Sequence, residues 1–499
     1  MTAAQTTSVR TELAEVPVHP ELVEVPRRRR LAFALTAAAV LATACAVGPT
    51  YERPTAPVPA QYKATEGWVP AAPADAIDRG AWWTLFDDPT LDALSSRIEV
   101  SNYNIAAAAA AYAQARALVR EQRASLFPVV NLNAGATRSD NNSGSGAGND
   151  TRYQASIGAS WEPDVWGRLQ RAVDSAGAGA QVSQAELVSA TLSAHGELAV
   201  NYFSLRQTNA QIALLARTLE GYERSLQIAR NRYDAGIAPR TDVLQAESQL
   251  ATAQAERVGL ARQRAQLEHA VAVLLGQPPG NFTLEPAAWT ATVPQVPVGV
   301  PSTLLQRRPD IAAAERRVAV ANEQIGIARS AYYPSFNLSG SIGSSASRLG
   351  DLFSASTSLW SLGLSAAQTL FNAGATRERV AGATAAHEAA VARYRQTVLV
   401  AFQDVENQLA AARVLERQQA LREQASRAAD EAETQVLNRY RAGQVGYTDV
   451  VSAQVTALNA HRALVQLAAD RQTTAVGLIQ ALGGGWQFDP QTGAAPPAR

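Results

Sequence analysis

Two stretches of roughly 67 residues, from Gly167 to Asp234 and from Gly374 to Arg441, contain no proline and keep a helical pattern. At 1.5 Å per residue each predicts a rod of about 100 Å. Such a rod cannot lie inside a compact domain, which at this size is only about 50 Å across. Gly236 and Gly443 stand where glycines end helices. A second proline-free helical stretch then returns from each turn, from Asp242 to Leu275 and from Asp449 to Leu482. Ala, Leu, Val and Gln recur along both arms with Arg and Glu between them, as in packed coiled coils.

The rods belong to an internal duplication. Arg232-Tyr233-Asp234-Ala235-Gly236 recurs as Arg439-Tyr440-Arg441-Ala442-Gly443, and Thr241-Asp242-Val243 as Thr448-Asp449-Val450, both at a shift of 207. Leu275-Gly276 returns as Leu482-Gly483 in the same register, and Leu126-Phe127-Pro128 matches Tyr332-Tyr333-Pro334. The first copy is expected over 79–276 and the second over 302–486, joined by a Pro-rich connector at 277–301. A disordered tail is expected at 487–499.

Each copy places a β-hairpin before its rod. Pro128 and Pro334 cannot continue the helices that lead to them. In the first hairpin, at about 129–163, Val130, Leu132, Ala134 and Ala136 alternate with Asn131, Asn133 and Thr137. After a loop at 140–150, Tyr153, Ala155, Ile157, Ala159 and Trp161 alternate with Gln154, Ser156, Gly158 and Ser160. The second hairpin, at about 335–370, repeats the pattern with Phe336, Leu338 and Ile342, then Trp360, Leu362 and Leu364. Four such strands cannot close a barrel, for which about eight is the practical minimum; three chains supply twelve. Tyr153 and Trp161 lie about 26 Å apart along their strand, close to the ~25 Å apolar band of outer-membrane barrels.

The beginning of the chain reads as a targeting segment, residues 1–44. Four arginines, Arg27 to Arg30, precede an apolar run from Leu31 to Ala44, too short to span a bilayer and suited to a signal-peptide core. Residues 1–26 carry several acids, unlike a usual leader, which leaves open a start further downstream. Leu41-Ala42-Thr43-Ala44-Cys45 resembles a bacterial lipobox with its leucine one residue early, and makes Cys45 the expected lipidation site. Ala42-Thr43-Ala44 also reads as an ordinary A-x-A cleavage site, so plain secretion is the competing reading. Residues 45–78, rich in Pro, Ala and Gly, are expected to be an extended tether.

Several chemistries are excluded. Forty-four basic residues balance 44 acidic ones, so no cationic excess exists for nucleic acid. A single cysteine excludes a disulfide framework and a multi-thiolate zinc site, and the five histidines show no metal-ligand spacing. No G-x-S-x-G or other nucleophile arrangement occurs. Gly144–Gly148 lies between two strands, so it reads as a loop and not a phosphate cradle. Arg307-Arg308-Pro309-Asp310 reads as a helix start with paired charges. No cofactor and no catalytic residue are expected.

The stretch Leu304-Leu305-Gln306-Arg307-Arg308-Pro309-Asp310-Ile311 resembles TolC-type outer-membrane efflux proteins of the OprM/NodT lipoprotein branch. So do Trp82-Trp83 with Phe86-Asp88-Pro89, Asp164-Val165-Trp166-Gly167, both Arg-Tyr-x-x-Gly turns, and Ala481 to Trp486. The likeness runs from Cys45 to Trp486. It implies an α+β membrane protein: duplicated helical hairpins forming a periplasmic α-barrel, and four strands per chain completing a twelve-stranded, trimeric β-barrel. It implies a lipid-anchored homotrimer in the bacterial outer membrane. The implied role is that of a passive exit duct, coupled to a periplasmic adaptor and an inner-membrane pump of the resistance–nodulation–division type. An adaptor-like coiled-coil lipoprotein without its own channel is the alternative.

Asp242 and Asp449 each follow a turn glycine by six residues, where an acid also suits the positive end of a helix. The resemblance places both at a constricted channel entrance, six carboxylates in a trimer, held closed by links to tyrosine and arginine. Tyr233 and Tyr440 match the tyrosine. The matching arginine position is Val445 and a further acidic position is Ser452, leaving Arg240 as the substitute arginine.

Overall fold

A computed structural model describes residues 47–59, 62–63, 79–141, 148–287, 289–294, 296 and 307–484. Cys45, the signal segment, most of the Gly144–Gly148 loop, Leu304 to Gln306 and Trp486 lie outside the described residues.

After a short 3-10 turn at Arg79–Phe86 come α1 (Pro89–Ser101), α2 (Tyr103–Ala124), β1 (Val129–Asn141), β2 (Gly148–Trp161), α3 (Arg168–Asp234) and α4 (Arg240–Leu274). The second copy follows as α5 (Pro309–Ser330), β3 (Ser335–Ala346), β4 (Ser358–Ala367), α6 (Ala375–Arg441) and α7 (Tyr447–Ala481). Both rods are 67 residues long. No helix among the described residues is long and apolar enough to cross a membrane.

The four strands form one antiparallel sheet in the order β1-β2-β3-β4. Directly paired residues share a face. Leu132 pairs Ile157, Ile157 pairs Ile342, and Ile342 pairs Trp360, an apolar row across the whole sheet. Val130, Ala159, Gly340 and Leu362 form the next row. The opposite face carries Asn131, Gly158, Ser341 and Ser361, then Asn133, Ser156 and Gly343. The apolar rows are uncovered in the protomer, Leu132 at 75% and Trp360 at 79% exposure. The outer edges of β1 and β4 have no partner strand among the described residues.

A belt of packed side chains surrounds the middle of the rods. Trp82, Trp83 and Phe86, with Leu91, Leu94 and Ile98 of α1, pack among Leu198, Tyr202 and Phe203 of α3 and Tyr394, Val398 and Val405 of α6. Each such side chain, fully removed from water, contributes about 1.5–3 kcal/mol. Polar bonds fix the belt. Asp88 caps α1 by accepting from the Thr90 and Leu91 amides, and its other oxygen accepts from the Tyr202 hydroxyl at 2.5 Å. The buried Arg206 donates to the same hydroxyl and lies over the Tyr202 ring.

The two copies use the same device where each return helix ends. Gly276 has φ +64°, and a Cβ there would meet the Ser101 carbonyl at 2.2 Å. Gly483 has φ +86°, and a Cβ there would meet the Arg307 carbonyl at 2.3 Å. Asn102 then donates to the Leu274 carbonyl in the first copy, and Arg308 to the Ala481 carbonyl in the second. Arg308 also holds Asp310 and Asp404, joining α5, α6 and α7. Two of the motifs that carried the resemblance therefore meet in space as a packing joint.

Residues 47–59, part of the stretch expected as an extended tether, are extended and strapped to the helices. The Val47 amide donates to the Trp166 carbonyl, and the Pro49 carbonyl accepts from Arg171 and Asn322. Tyr51 donates to Glu315, and Arg395 to the Thr55 carbonyl. Prolines keep the segment out of helix and sheet, and its carbonyls remain free to accept from side chains. The connector is docked as well: Trp289 donates to Gln472, whose amide donates to the Thr292 carbonyl.

His195, 3% exposed, stacks on Trp83 with ring centroids 4.3 Å apart. Burial pushes its pKa below the ordinary histidine value, against the opposing pull of Glu99 and the Thr191 and Ser95 carbonyls. A histidine kept neutral in the fold contributes stability that is present above its ordinary pKa and lost as pH falls through it. Thermal midpoints of the wild type should therefore drop as pH falls below about 6.5, and His195→Gln should remove that component. Parallel pH profiles for the two proteins would contradict it.

Candidate functional site

The two turns at the far end of the rods are built alike. Gly236, at φ +70°, lets the Ile237 amide reach the Arg232 carbonyl at 2.9 Å and its own amide the Tyr233 carbonyl at 2.8 Å. Gly443, at φ +76°, does the same with the Gln444 amide on Arg439 and its own on Tyr440. Both are Schellman closures, which need a left-handed residue at this position.

The return helices begin two residues before the aspartates, at Arg240 and Tyr447, so Asp242 and Asp449 occupy the third helical position. From there a carboxylate can accept the amide of the residue before the helix. Asp449 does so, accepting from the Gly446 amide at 3.2 Å. Asp242 cannot, because the equivalent residue is Pro239, which has no N–H. Its Oδ2 instead accepts from the Tyr440 hydroxyl at 3.2 Å, joining α4 of the first copy to α6 of the second.

Tyr440 is the hub of this end. It is 1% exposed and lies edge-on to Tyr447 at 5.3 Å, in a small core with Leu226, Ala229, Ala246 and Val450. Burial and the neighbouring Asp242 carboxylate push its hydroxyl pKa up to about 12, with Arg232 opposing. The Arg232 guanidinium lies 4.8 Å over the Tyr440 ring and donates to the Tyr440 carbonyl at 2.7 Å and the Arg441 carbonyl at 3.1 Å. Nearby, Thr448 of α7 donates to Gln245 of α4, and Gln454 donates to Ser225 of α3.

The predicted residues thus divide. Asp242 and Tyr440 come together; Tyr233 is 44% exposed, and Asp449 faces solvent apart from its bond to Gly446. Arg240 is exposed at the start of α4 and makes no hydrogen bond or ion pair among the described residues. The arginine that meets the tyrosine is Arg232. It stands in the repeated Arg-Tyr-x-x-Gly motif, but only the fold shows that it reaches across 208 residues of sequence.

Long helical hairpins ending in linked turns, beneath a sheet with one uncovered apolar face, define an α+β outer-membrane channel fold. The chain belongs to the outer membrane efflux protein family, whose match covers residues 94–277 and 300–484. The antibiotic efflux pump outer membrane protein ArpC of Pseudomonas putida is 32% identical over 471 residues, 93% of this chain and 97% of its own. The pyoverdine export outer membrane protein OpmQ of Pseudomonas aeruginosa is 32% identical over 474 residues, 92% and 98% of the two chains. Among solved structures, the outer-membrane channel OprN superposes with a TM-score of 0.82 at 31% identity, over 88% of this chain and 99% of that one. The protein is an outer-membrane component of efflux, with a long helical part on the periplasmic side.

Proposed function

We propose that the protein is the passive exit duct of a tripartite pump, a homotrimer carrying small toxic molecules outward without changing them. The observation that carries this reading is the sheet: four strands per chain, one apolar face and two unpaired edges. In lipid each unpaired backbone group costs several kcal/mol, which drives β4 of one protomer onto β1 of the next until twelve strands close. The helical hairpins then line a periplasmic tunnel. Energy comes from an inner-membrane pump of the resistance–nodulation–division type through a periplasmic adaptor. Drugs and related toxic compounds are the proposed cargo, by likeness to relatives named for antibiotic efflux and pyoverdine export.

Within this reading Cys45 carries the lipid, two residues before Val47, which is held at Trp166 beside the base of the sheet. Asp242, Asp449, Tyr233 and Tyr440 surround the entrance, with the Asp242–Tyr440 bond holding it narrow. Detergent-solubilised protein should have the mass of three chains and form stable channels in planar bilayers. A water-soluble monomer, or a trimer without conductance, would favour the adaptor-like lipoprotein instead.

A further inference from the structure

The two copies differ in charge where the sheet meets the rods. In the first copy Glu162 follows β2 on the same alternation as Ser156, Gly158 and Ser160, the polar face. Nη2 of Arg168, at the start of α3, donates to both of its oxygens, at 2.9 and 2.8 Å. At the repeat shift of 207 that acid becomes Thr369. The second copy also carries an arginine, Arg379 near the start of α6, where the first copy has Ala172. Arg379 is exposed and makes no hydrogen bond or ion pair among the described residues.

Arg379 lines a cavity of about 630 Å³ together with Thr369, Ile327, Ala331, Ala383 and Arg168. The cavity's floor is fixed where β3 and β4 leave the sheet: Ser335 donates to the Ala367 carbonyl at 3.3 Å, and Gln368 to the Tyr332 carbonyl at 3.1 Å. Ser335 and Ala367 pair on the polar face of the sheet. On α5, Glu315 and Asn322 hold the strap of residues 47–59, whereas Ile327 and Ala331 lie on nearly the opposite side of the helix. On α6, Arg395 donates to the strap at Thr55, nearly half a turn round the helix from Arg379. The strap leads from the lipid-bearing Cys45 and so marks the outer surface; the cavity opens inward.

Resting on the trimeric duct reading above, we infer that this cavity is a cargo site in the lumen, at the junction of barrel and tunnel, for amphipathic organic anions. Arg379 binds a carboxylate or sulfonate, Thr369 offers a hydroxyl beside it, and Ile327, Ala331 and Ala383 take the apolar body. The volume lies within the ~300–1,000 Å³ of small-molecule sites. Arg168 adds little, because Glu162 already holds it. Three chains bring three unanswered guanidinium groups to one passage, where low-dielectric walls focus their field on a passing anion.

The test is block of single-channel current by 2-naphthalenesulfonate, with 2-naphthylmethylammonium as the cation of matching shape. The sulfonate should block the wild type and the ammonium should not. Arg379→Gln should weaken the sulfonate block about tenfold or more. Arg379→Lys should weaken it less, since lysine keeps the charge and loses the forked donors. Glu162→Gln releases Arg168 into the same cavity and should strengthen the block several-fold, the opposite sign. Equal block of the wild type and Arg379→Gln, or equal block by the ammonium, would overturn the site. Failure of the wild type to form channels would instead overturn the duct reading.

Discussion

Ile342→Arg should abolish insertion into the outer membrane, whereas Ser341→Arg, one residue away, should leave trimers in the membrane fraction. Ile342 lies in the apolar row between Ile157 and Trp360; Ser341 lies on the other face between Gly158 and Ser361. An arginine at the bilayer midplane on the lipid side of a barrel costs about 2–4 kcal/mol, and a trimer carries it in every protomer. On the lumen side the guanidinium stays in water. Fractionation and the detergent-resistant trimer band read both outcomes. Comparable insertion of the two variants would mean that the apolar face meets protein and not lipid.

Asp242→Ala and Tyr440→Phe should each open the channel mouth, and the pair together should do little more than either. The Tyr440 hydroxyl is buried and its acceptor is a carboxylate, so the bond between them is worth about 1.5–3 kcal/mol. At 1.4 kcal/mol per tenfold, its loss raises the open population roughly 10–100-fold. Asp449→Ala removes mainly a helix-end bond of about 0.3–1 kcal/mol within its own chain, leaving a smaller change. Replacing both aspartates should also weaken cation selectivity, because carboxylates in a narrow mouth attract cations. The pH dependence follows from the raised tyrosine pKa. A neutral phenol is favoured in the fold, so the bond is fully present below about pH 10 and fails as pH rises toward about 12. Between pH 7 and 9 the tyrosine contributes no change in gating. Additive effects of Asp242→Ala and Tyr440→Phe in bilayer recordings would show that the two do not act through one bond.

Much of this architecture was legible in the sequence because it rests on short-range rules. Proline-free heptad-like runs gave rods of the right length, Gly236 and Gly443 ended them, and alternation separated the two faces of the hairpins. The repeat at 207 residues even preserved equivalence at the turns. That equivalence also concealed what distinguishes the two copies. Asp242 and Asp449 look alike in sequence, yet one bonds to Tyr440 and the other to its own helix start. The local cause, Pro239 where the second copy has Gly446, was visible in the chain, but the partner that claims the freed carboxylate was not. Arg232 on Tyr440, Gly483 on the Arg307 carbonyl and the Pro49 strap on Arg171 were equally hidden. Backbone periodicity and turn chemistry act over a few residues, so the sequence by itself determined the elements and their faces. Which arginine reaches which ring, and which carbonyl lies against which glycine, depends on how two nearly identical hairpins pack side by side, and only the tertiary structure decided that.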